Sequence, residues 1–425
     1  MALTSLYSGL AGLNANSLQL SLIGNNLSNV NTAGYKSSSA SFQDMLSQTL
    51  NGGSERTNPQ QVGLGSVAAG TNMNFTQGSL QTTGINSNVA IQGGGFFVVS
   101  DGQGNSYTRS GDFHVDASGN LVTPDGAFVQ GYTTKDPVTG RIVASGALSN
   151  INMPPGTLFP PAATTNLRLI ANLNANAAVN DTFSSSVRIV DSLGSDHQLT
   201  ITWTNTGPGA WDYDITVPAL DVGGLVTDPP VSVGTGSMTF DSLGVLTAPA
   251  ADFDIEITGF ANGAADMTTA TNNAINFDLF NPDGTTNLTG FAAASATSSS
   301  SQNGFPPGSL SSFAIGVDGT IQGIFSNGQT AELARLALAT FNNPNGLLKT
   351  GQNKFSASSS SGEPSVGVPG EGGRGTTAGS ALELSNVDIA NEFINMLIAQ
   401  RGYQANSRII TTTDSVLQEA INLVR

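Results

Sequence analysis

The chain has 425 residues, enough for two or three domains with real cores, but only 10% of them are charged, so Ser, Thr, Asn and Gly must cover the surface and salt bridges can contribute little. A formal net charge of −16, from 14 Lys and Arg against 30 Asp and Glu, repels phosphate backbones and anionic lipid surfaces and argues against nucleic acid as a partner. The absence of cysteine excludes disulfides and thiolate metal sites. No apolar run reaches the ~18 to 20 residues that span a bilayer. The start of the chain also lacks the basic residues and apolar stretch of a Sec signal peptide, so neither membrane insertion nor Sec export is expected.

The first predicted element is a helix over Met1 to about Ser28, roughly 40 Å long at ~1.5 Å per residue. Leu3, Leu6, Leu10, Leu13, Leu20 and Leu27 fall on a three-then-four spacing, with Ser17 and Gly24 at the skipped positions. That spacing lays one apolar stripe along the helix. Asn25 and Asn26 weaken its last turn, and Asn29, Asn31, Thr32 and Gly34 are turn formers, so helical geometry should end between Val30 and Tyr35. Residues 31–75 read as an extended arm in which Phe42, Met45 and Leu46 form a candidate helical turn.

Strand signals start after Phe75. Apolar runs at Val89 to Ile91 and Phe96 to Val99 flank Gly93 to Gly95. Those at Phe113 to Val115, Leu121 to Val122 and Phe128 to Val129 are divided by Ser118-Gly119-Asn120 and Asp125-Gly126, which tolerate the positive φ of hairpin turns. The same logic recurs from Ile315 to Phe325 around Asp318-Gly319, and again at Asn327-Gly328, so 76–149 and 306–355 are assigned to one inner β-domain. Residues 150–305 read as an inserted outer β-domain, opened by Pro154-Pro155 and Pro160-Pro161 and closed by Ser298 to Ser301. Within it Leu199, Ile201 and Trp203, then Trp211, Tyr213, Ile215 and Val217, then Phe253, Ile255 and Ile257, alternate with polar residues, as in the half-buried strands of an antiparallel barrel or sandwich.

Residues 356–384, rich in Ser, Gly and Pro, read as a second extended arm. Ser385 with Asp388 marks the N-terminus of a helix running toward Arg425. There Ile394, Ile398, Ala405, Ile409, Val416, Ala420 and Leu423 repeat the three-then-four spacing, with Gly402 and Thr412 in the gaps. An amphipathic helix lying on a globular core explains one such stripe. Matching stripes at both ends of a β-rich chain point instead to a coiled-coil-like terminal domain, 1–30 with 385–425, and to a subunit of a polymer. The expected fold class is mixed, mainly β: nested, discontinuous β-domains of antiparallel barrel or sandwich type, closed by paired N- and C-terminal α-helices.

The search for chemistry returns little. His114 and His197 are the only histidines, and without cysteine or a helical His pair neither points to a metal or nucleophile site. Gly63-Leu64-Gly65-Ser66-Val67-Ala68 resembles a dinucleotide fingerprint, but no strand signal precedes it and no clear helix follows, so it reads as a turn. Most Asp residues stand beside Gly in turns, and no two carboxylates are placed face to face by sequence alone. No catalytic residue, cofactor or metal ligand is assigned.

Two longer stretches carry a family resemblance. Leu13-Asn14-Ala15-Asn16-Ser17 followed by Ile23 to Lys36, with Asn25, Asn26, Asn29, Val30, Asn31, Thr32, Gly34 and Tyr35, resembles the N-terminal signature of bacterial flagellar rod and hook proteins. Ser385 to Asp388 and then Ala399 to Asn406, with Gln400, Arg401, Tyr403 and Gln404, is similar to that family's C-terminal signature. Shorter similarities lie at Ser87 to Ile91 with Gly95-Phe96-Phe97, at Tyr107 to Gly111 and at Gly119 to Leu121. An outer domain inserted in the β-domain resembles hook members more than the shorter rod members. The resemblance implies a structural subunit exported unfolded by the flagellar type III apparatus without signal cleavage. It implies self-polymerisation into a curved, extracellular tube that joins rod to filament and transmits torque as a universal joint. It also implies contacts with the distal rod protein, the hook cap and the hook-filament junction proteins, and an assembly role for the terminal helices. The alternatives are a rod subunit carrying an insertion, and a secreted β-rich adhesin or polysaccharide-acting protein.

Overall fold

The computed structural model describes residues 2–51, 60–102, 104–137, 139–154 and 156–423. They form two compact units, one of Met1–Pro155, Ser312–Ile324 and Thr330–Arg425, the other of Gly156–Ser311 and Phe325–Gln329. The first unit contains the helices α1 (Ala2–Ser28) and α2 (Ile389–Leu423). Local sequence gives α1 little support. Gly9, Gly12, Gly24 and four asparagines lower its propensity, and its first turn has no acid and its last no base to favour the helix dipole. Packing has to hold it. α2 starts at Asp388, whose Oδ1 accepts from the amides of Ala390 (2.9 Å) and Asn391 (3.2 Å). Asp388, rather than Ser385, is therefore the N-cap, because only a side chain one residue before the helix reaches its second and third amides.

The β body of the first unit is assembled from both halves of the chain. Phe96–Ser100 pairs with Asn105–Thr108 and Phe128–Tyr132, and also with Leu338–Thr340 from beyond the insertion. Lys354–Ser356 likewise pairs with Asn105–Thr108, and Thr330–Leu336 with Phe128–Tyr132. Their inner faces meet in an aromatic core: Phe96 packs edge-on against Phe75, Phe341 and Phe355 at centroid distances of 5.5 to 5.8 Å, and Tyr107 against Phe341 at 4.8 Å.

Both expected arms differ from the observed structure. Ser38–Asp44 is a strand paired antiparallel with Ser66–Met73, so Phe42 lies in a hairpin and not in a helical turn, with Met45 and Leu46 just beyond the strand. In 356–384, Ser365–Gly367 pairs with Leu338–Thr340, Thr376–Gly379 with Val89–Gln92, and Ala381–Glu383 with Leu80–Thr82. These segments are poor in apolar residues, yet joining the edges of existing strands satisfies their backbone groups without a core of their own.

The second unit holds two five-stranded sheets. One is an antiparallel meander of Thr182–Val190, Asp196–Gly207, Ala210–Val217, Val231–Phe240 and Leu246–Ala248. The other is mixed: Asn166–Asn172 runs parallel to Ile275–Asp278 and Leu288–Thr289 and antiparallel to Ala296–Gln302, a departure from the wholly antiparallel expectation. The alternating side chains of Leu199, Ile201 and Trp203, and of Trp211, Ile215 and Val217, enter one core with Leu167, Leu169, Ile255 and Phe277.

Aspartate sets several of the turns. At Asp116, Asp191 and Asp241 the carboxylate accepts from the amides two and four residues on, and the carbonyl from the amide three on. Asp191 is fully buried and does more. Its Oδ2 accepts from Asn262 Nδ2 at 2.5 Å and lies 3.0 Å from His197 Nε2, while His197 Nδ1 sits 3.1 Å from Asp221 Oδ2 without hydrogen-bond alignment. Burial pushes the Asp191 carboxyl up, but the bonds from His197, Asn262 and the Ser195 and Leu193 amides outweigh it and hold the group below its usual range. Its stabilising contribution is complete above the unfolded value of about 4 and is lost as pH falls through the lower folded value. Both tryptophans of the chain, Trp203 and Trp211, lie in this unit, so their fluorescence isolates its unfolding. The urea midpoint should fall as pH is lowered from 6 to 3, and Asp191→Asn should lower it at pH 6 by about 1.5 to 3 kcal/mol of stability and flatten the acid dependence.

Candidate assembly interface

α1 and α2 pack against each other along a seam that meets the predicted α2 stripe only at its gap position Gly402 and at Ile409, whose Cγ2 would lie 3.5 Å from a Cβ on Gly9. The α1 side is Gly9, Gly12, Asn16, Ile23 and Asn26. The α2 side is Glu392, Ala399, Gly402, Asn406, Ile410 and Thr413. Small residues let the backbones approach closely. A Cβ on Gly9 would lie 3.3 Å from Ile410 Cγ1, one on Gly12 2.5 Å from Asn406 Nδ2, and one on Gly402 2.7 Å from Asn16 Oδ1. These positions also recur every three and four residues, but apart from Ile23 and Ile410 they are small or polar.

The end of α1 is fastened by amides. Asn26, buried, donates from Nδ2 to the Ser38 carbonyl and to Glu392 Oε1, both at 2.9 Å, and its Oδ1 accepts from the Ser38 amide (3.0 Å) and the Tyr35 hydroxyl (3.2 Å). The Tyr35 hydroxyl also donates to Asn25 Oδ1 at 3.1 Å. Burial, helped by the nearby Glu392 charge, raises the Tyr35 pKa. Gly34 turns the chain at φ +70°, and its Cβ-free face abuts Ser110, at 2.5 Å from the Ser110 nitrogen to an added Cβ.

Beneath this junction lies a buried ionic cluster. Lys36 Nζ donates to Glu383 Oε1 at 2.6 Å and to the Thr76 carbonyl at 2.8 Å. Arg109 Nη1 reaches Glu383 Oε2 at 3.4 Å, and its Nη2 donates to the Gly93 carbonyl at 2.9 Å. The amide of Gly78 donates to Glu383 Oε1 at 2.8 Å, and that of Gly34 to the Glu383 carbonyl at 2.7 Å. The Lys36 and Glu383 side chains have 0% exposure and Arg109 4%. Burial lowers the pKa of both bases, and Glu383 partly offsets this. Asn386 completes the junction, accepting from the Ser37 amide at 2.9 Å and donating to the Asn74 carbonyl at 2.7 Å.

Most residues of the predicted stripes lie outside this seam. Leu6, Leu13, Leu20 and Leu27 are half-buried and Leu10 is exposed. Ile394, Ile398, Ala405, Ile409 and Val416 are all exposed, the four larger ones at 44 to 61%. Leu3 and Leu423 fall outside the residues whose side chains are described. Of the motif residues, Asn26, Gly34 and Tyr35 are buried, Asn29, Val30 and Thr32 are half-buried, and Asn25 and Asn31 are exposed, as are Gln400, Arg401, Tyr403 and Gln404 on α2. Sequence reasoning missed the roles of Glu383, Lys36, Arg109 and Asn386. A carboxylate between two leucines in Leu382-Glu383-Leu384 was the available signal. Among the described residues no group of His, Cys, Asp and Glu is arranged to hold a metal ion, and no helix is long and apolar enough to cross a membrane.

Four family models match along the chain: flagella basal body rod protein at 6–36, flagellar hook protein FlgE/F/G D1 domain at 90–168, flagellar basal body protein FlaE D2 domain at 159–305, and flagellar basal body rod FlgEFG protein C-terminal at 378–423. Together they describe the class of flagellar rod and hook proteins, and the third covers the insertion for which the sequence offered no motif. The chain is 34% identical to the flagellar hook protein FlgE of Treponema pallidum, over 99% of each chain, and 36% identical to that of Escherichia coli K12, over 97% of this chain and 98% of the relative. The crystal structure of Helicobacter pylori flagellar hook protein FlgE2 aligns with 70% of this chain and 98% of that one, at 17% identity and a TM-score of 0.46. The chain belongs to the flagellar hook protein FlgE family.

Glu383→Ala would leave Lys36 and Arg109 buried without their counter-charge and should cost the first unit about 3 to 5 kcal/mol. Arg188→Ala at the exposed Arg188–Asp196 pair should cost under about 1 kcal/mol. Calorimetry on the two variants checks the contrast, with the tryptophan-reported transition expected to stay in place for Glu383→Ala.

Proposed function

We propose that this chain is the structural subunit of a bacterial flagellar hook and polymerises with itself into a curved, flexible tube that carries torque from rod to filament. The observation that carries the reading is the stripe of Ile394, Ile398, Ile409 and Val416, exposed along α2 while another face of the same helix is already used against α1. Burying an aliphatic side chain of this size contributes about 1.5 to 3 kcal/mol, so a stripe left in water is a surface that assembly would cover. Identities of 34 and 36% to hook relatives, against 27% to the flagellar basal-body rod protein FlgG of Bacillus subtilis over the whole of both chains, and the match of the insertion to the FlaE D2 model favour a hook subunit over a rod subunit. In this reading the terminal helices carry most of the subunit contacts and the β units form the outer wall. The distal rod protein, the hook cap and the hook-filament junction proteins are the partners at its ends, and the flagellar type III apparatus exports the chain unfolded, without signal cleavage. The role is structural, with no cofactor.

Electron microscopy of the concentrated chain should show curved tubes, absent from a version lacking Met1 to Ser28 and Asn386 to Arg425. Leu10→Asp and Ile409→Asp should keep the circular dichroism of the β units and abolish tubes. Wild-type tube yield from both variants would remove the helix-based mechanism, and straight tubes from the intact chain would favour a rod subunit.

A further inference from the structure

α1 presents a second apolar face, away from Gly9 and Gly12. Tyr7, Leu10 and Leu18 form one wall of a groove of about 790 Å³, and Met45, Leu64 and Val67 from the long hairpin form the other. Among the described residues no charged side chain lines it. The hairpin meets α1 partway along its length, where an added Cβ on Gly65 would lie 2.7 Å from Ala11 Cβ, so the two walls are in direct contact at that point. Tyr7 is 62% exposed, and Leu10 and Val67 are each 49% exposed.

The α2 of the same chain does not fill this groove. Its Asn406 and Ile410 side is committed to Gly9 and Gly12; Ile409 turns one methyl to the same seam at Gly9, yet Ile394, Ile398 and Ile409 remain 44 to 61% exposed. One chain therefore carries an unfilled apolar groove and an uncovered apolar stripe that do not touch each other. The stripe is long enough to span the groove: Tyr7 to Leu18 advances eleven residues, about 16 Å of helix, and Ile394 to Ile409 fifteen, about 22 Å. We propose that the groove of one copy seats the Ile394, Ile398 and Ile409 stripe of α2 from a second copy. The contact joins two different surfaces, so each added copy presents a fresh groove and a fresh stripe, and the series extends as a helical polymer and not as a closed pair. This rests on the self-polymerising reading above and adds which surfaces meet.

The chain has no cysteine, so Val67→Cys and Ile398→Cys each place a single thiol. Tubes grown from an equal mixture of the two variants and then oxidised should yield about tenfold more disulfide-linked dimer than tubes of either variant alone, because assembly holds the unlike thiols at high effective concentration. Mixed tubes without that excess would overturn the groove assignment and leave the polymer reading standing, whereas failure of the unaltered chain to form any tube would overturn both. As a second measurement, the apolar dye ANS bound to the free chain should be expelled on assembly of the unaltered chain. Undiminished dye binding in tubes would mean that the groove takes small apolar molecules and not α2, and would also overturn the assignment.

Discussion

Glu383 is a carboxylate without exposed surface, and a charge that deep is tolerable only while every partner stays in place. Those partners come from segments far apart in the chain: Lys36 just after α1, Gly78 before the first core strand, Arg109 within the β body, and Glu383 itself six residues before α2. The cluster therefore records whether both chain ends have reached the same body. Net stabilisation from such a group is small, because desolvation offsets most of the attraction. Its strength lies in the cost of a partial arrangement, where one missing partner leaves a bare charge in an apolar interior.

The helix pair follows from that constraint. α1, with its glycines and asparagines, is a weak helix alone, and its seam with α2 buries few large apolar groups. Held at one end by Asn26, Tyr35 and the cluster below, the two helices need only modest contact along their length to stay together. The seam can then consist mostly of small and polar residues, with Ile23 and Ile410, and the other isoleucines of α2 are left exposed. A seam built from the isoleucines would have covered the surfaces that a neighbour could use.

Much of the architecture was legible in the sequence, and the unread parts share one cause. The alternation at Leu199 to Trp203 and Trp211 to Val217, and the Asp-Gly turns, are local signals, and strands appear there. Ser38–Asp44 and Thr376–Gly379 lack a local signal because they are strands only by virtue of partners 22 or more residues away. The helix pairing could be anticipated from two matching periods, but its face could not. Hydrophobic spacing picks out the leucine and isoleucine stripes, whereas the real contact runs through Gly9, Gly12, Asn406 and Ile410, and meets the predicted α2 stripe only at its edge, at Gly402 and Ile409. Asn26 and Tyr35 were marked as motif residues, and geometry was needed to show that they bond to each other.

Charge divides the molecule in a way that composition alone conceals. Arg168 and Arg188 are the only Lys or Arg residues in Gly156–Ser311, so the acidic excess of the chain is concentrated in the second unit. The exposed stripe of α2 and the groove beside α1 are apolar. Copies brought side by side would repel through their second units over roughly a Debye length, about 8 to 10 Å at ordinary salt, while their helices attract on contact. In the proposed polymer, cohesion would then concentrate in the helices, and the second units, with only Arg168 and Arg188 in Gly156–Ser311 to pair with a neighbour's aspartates, would be free to change their mutual spacing while breaking few strong bonds. A tube that bends as it turns needs that asymmetry, because material on the inside of the curve must shorten and material on the outside must lengthen with every revolution.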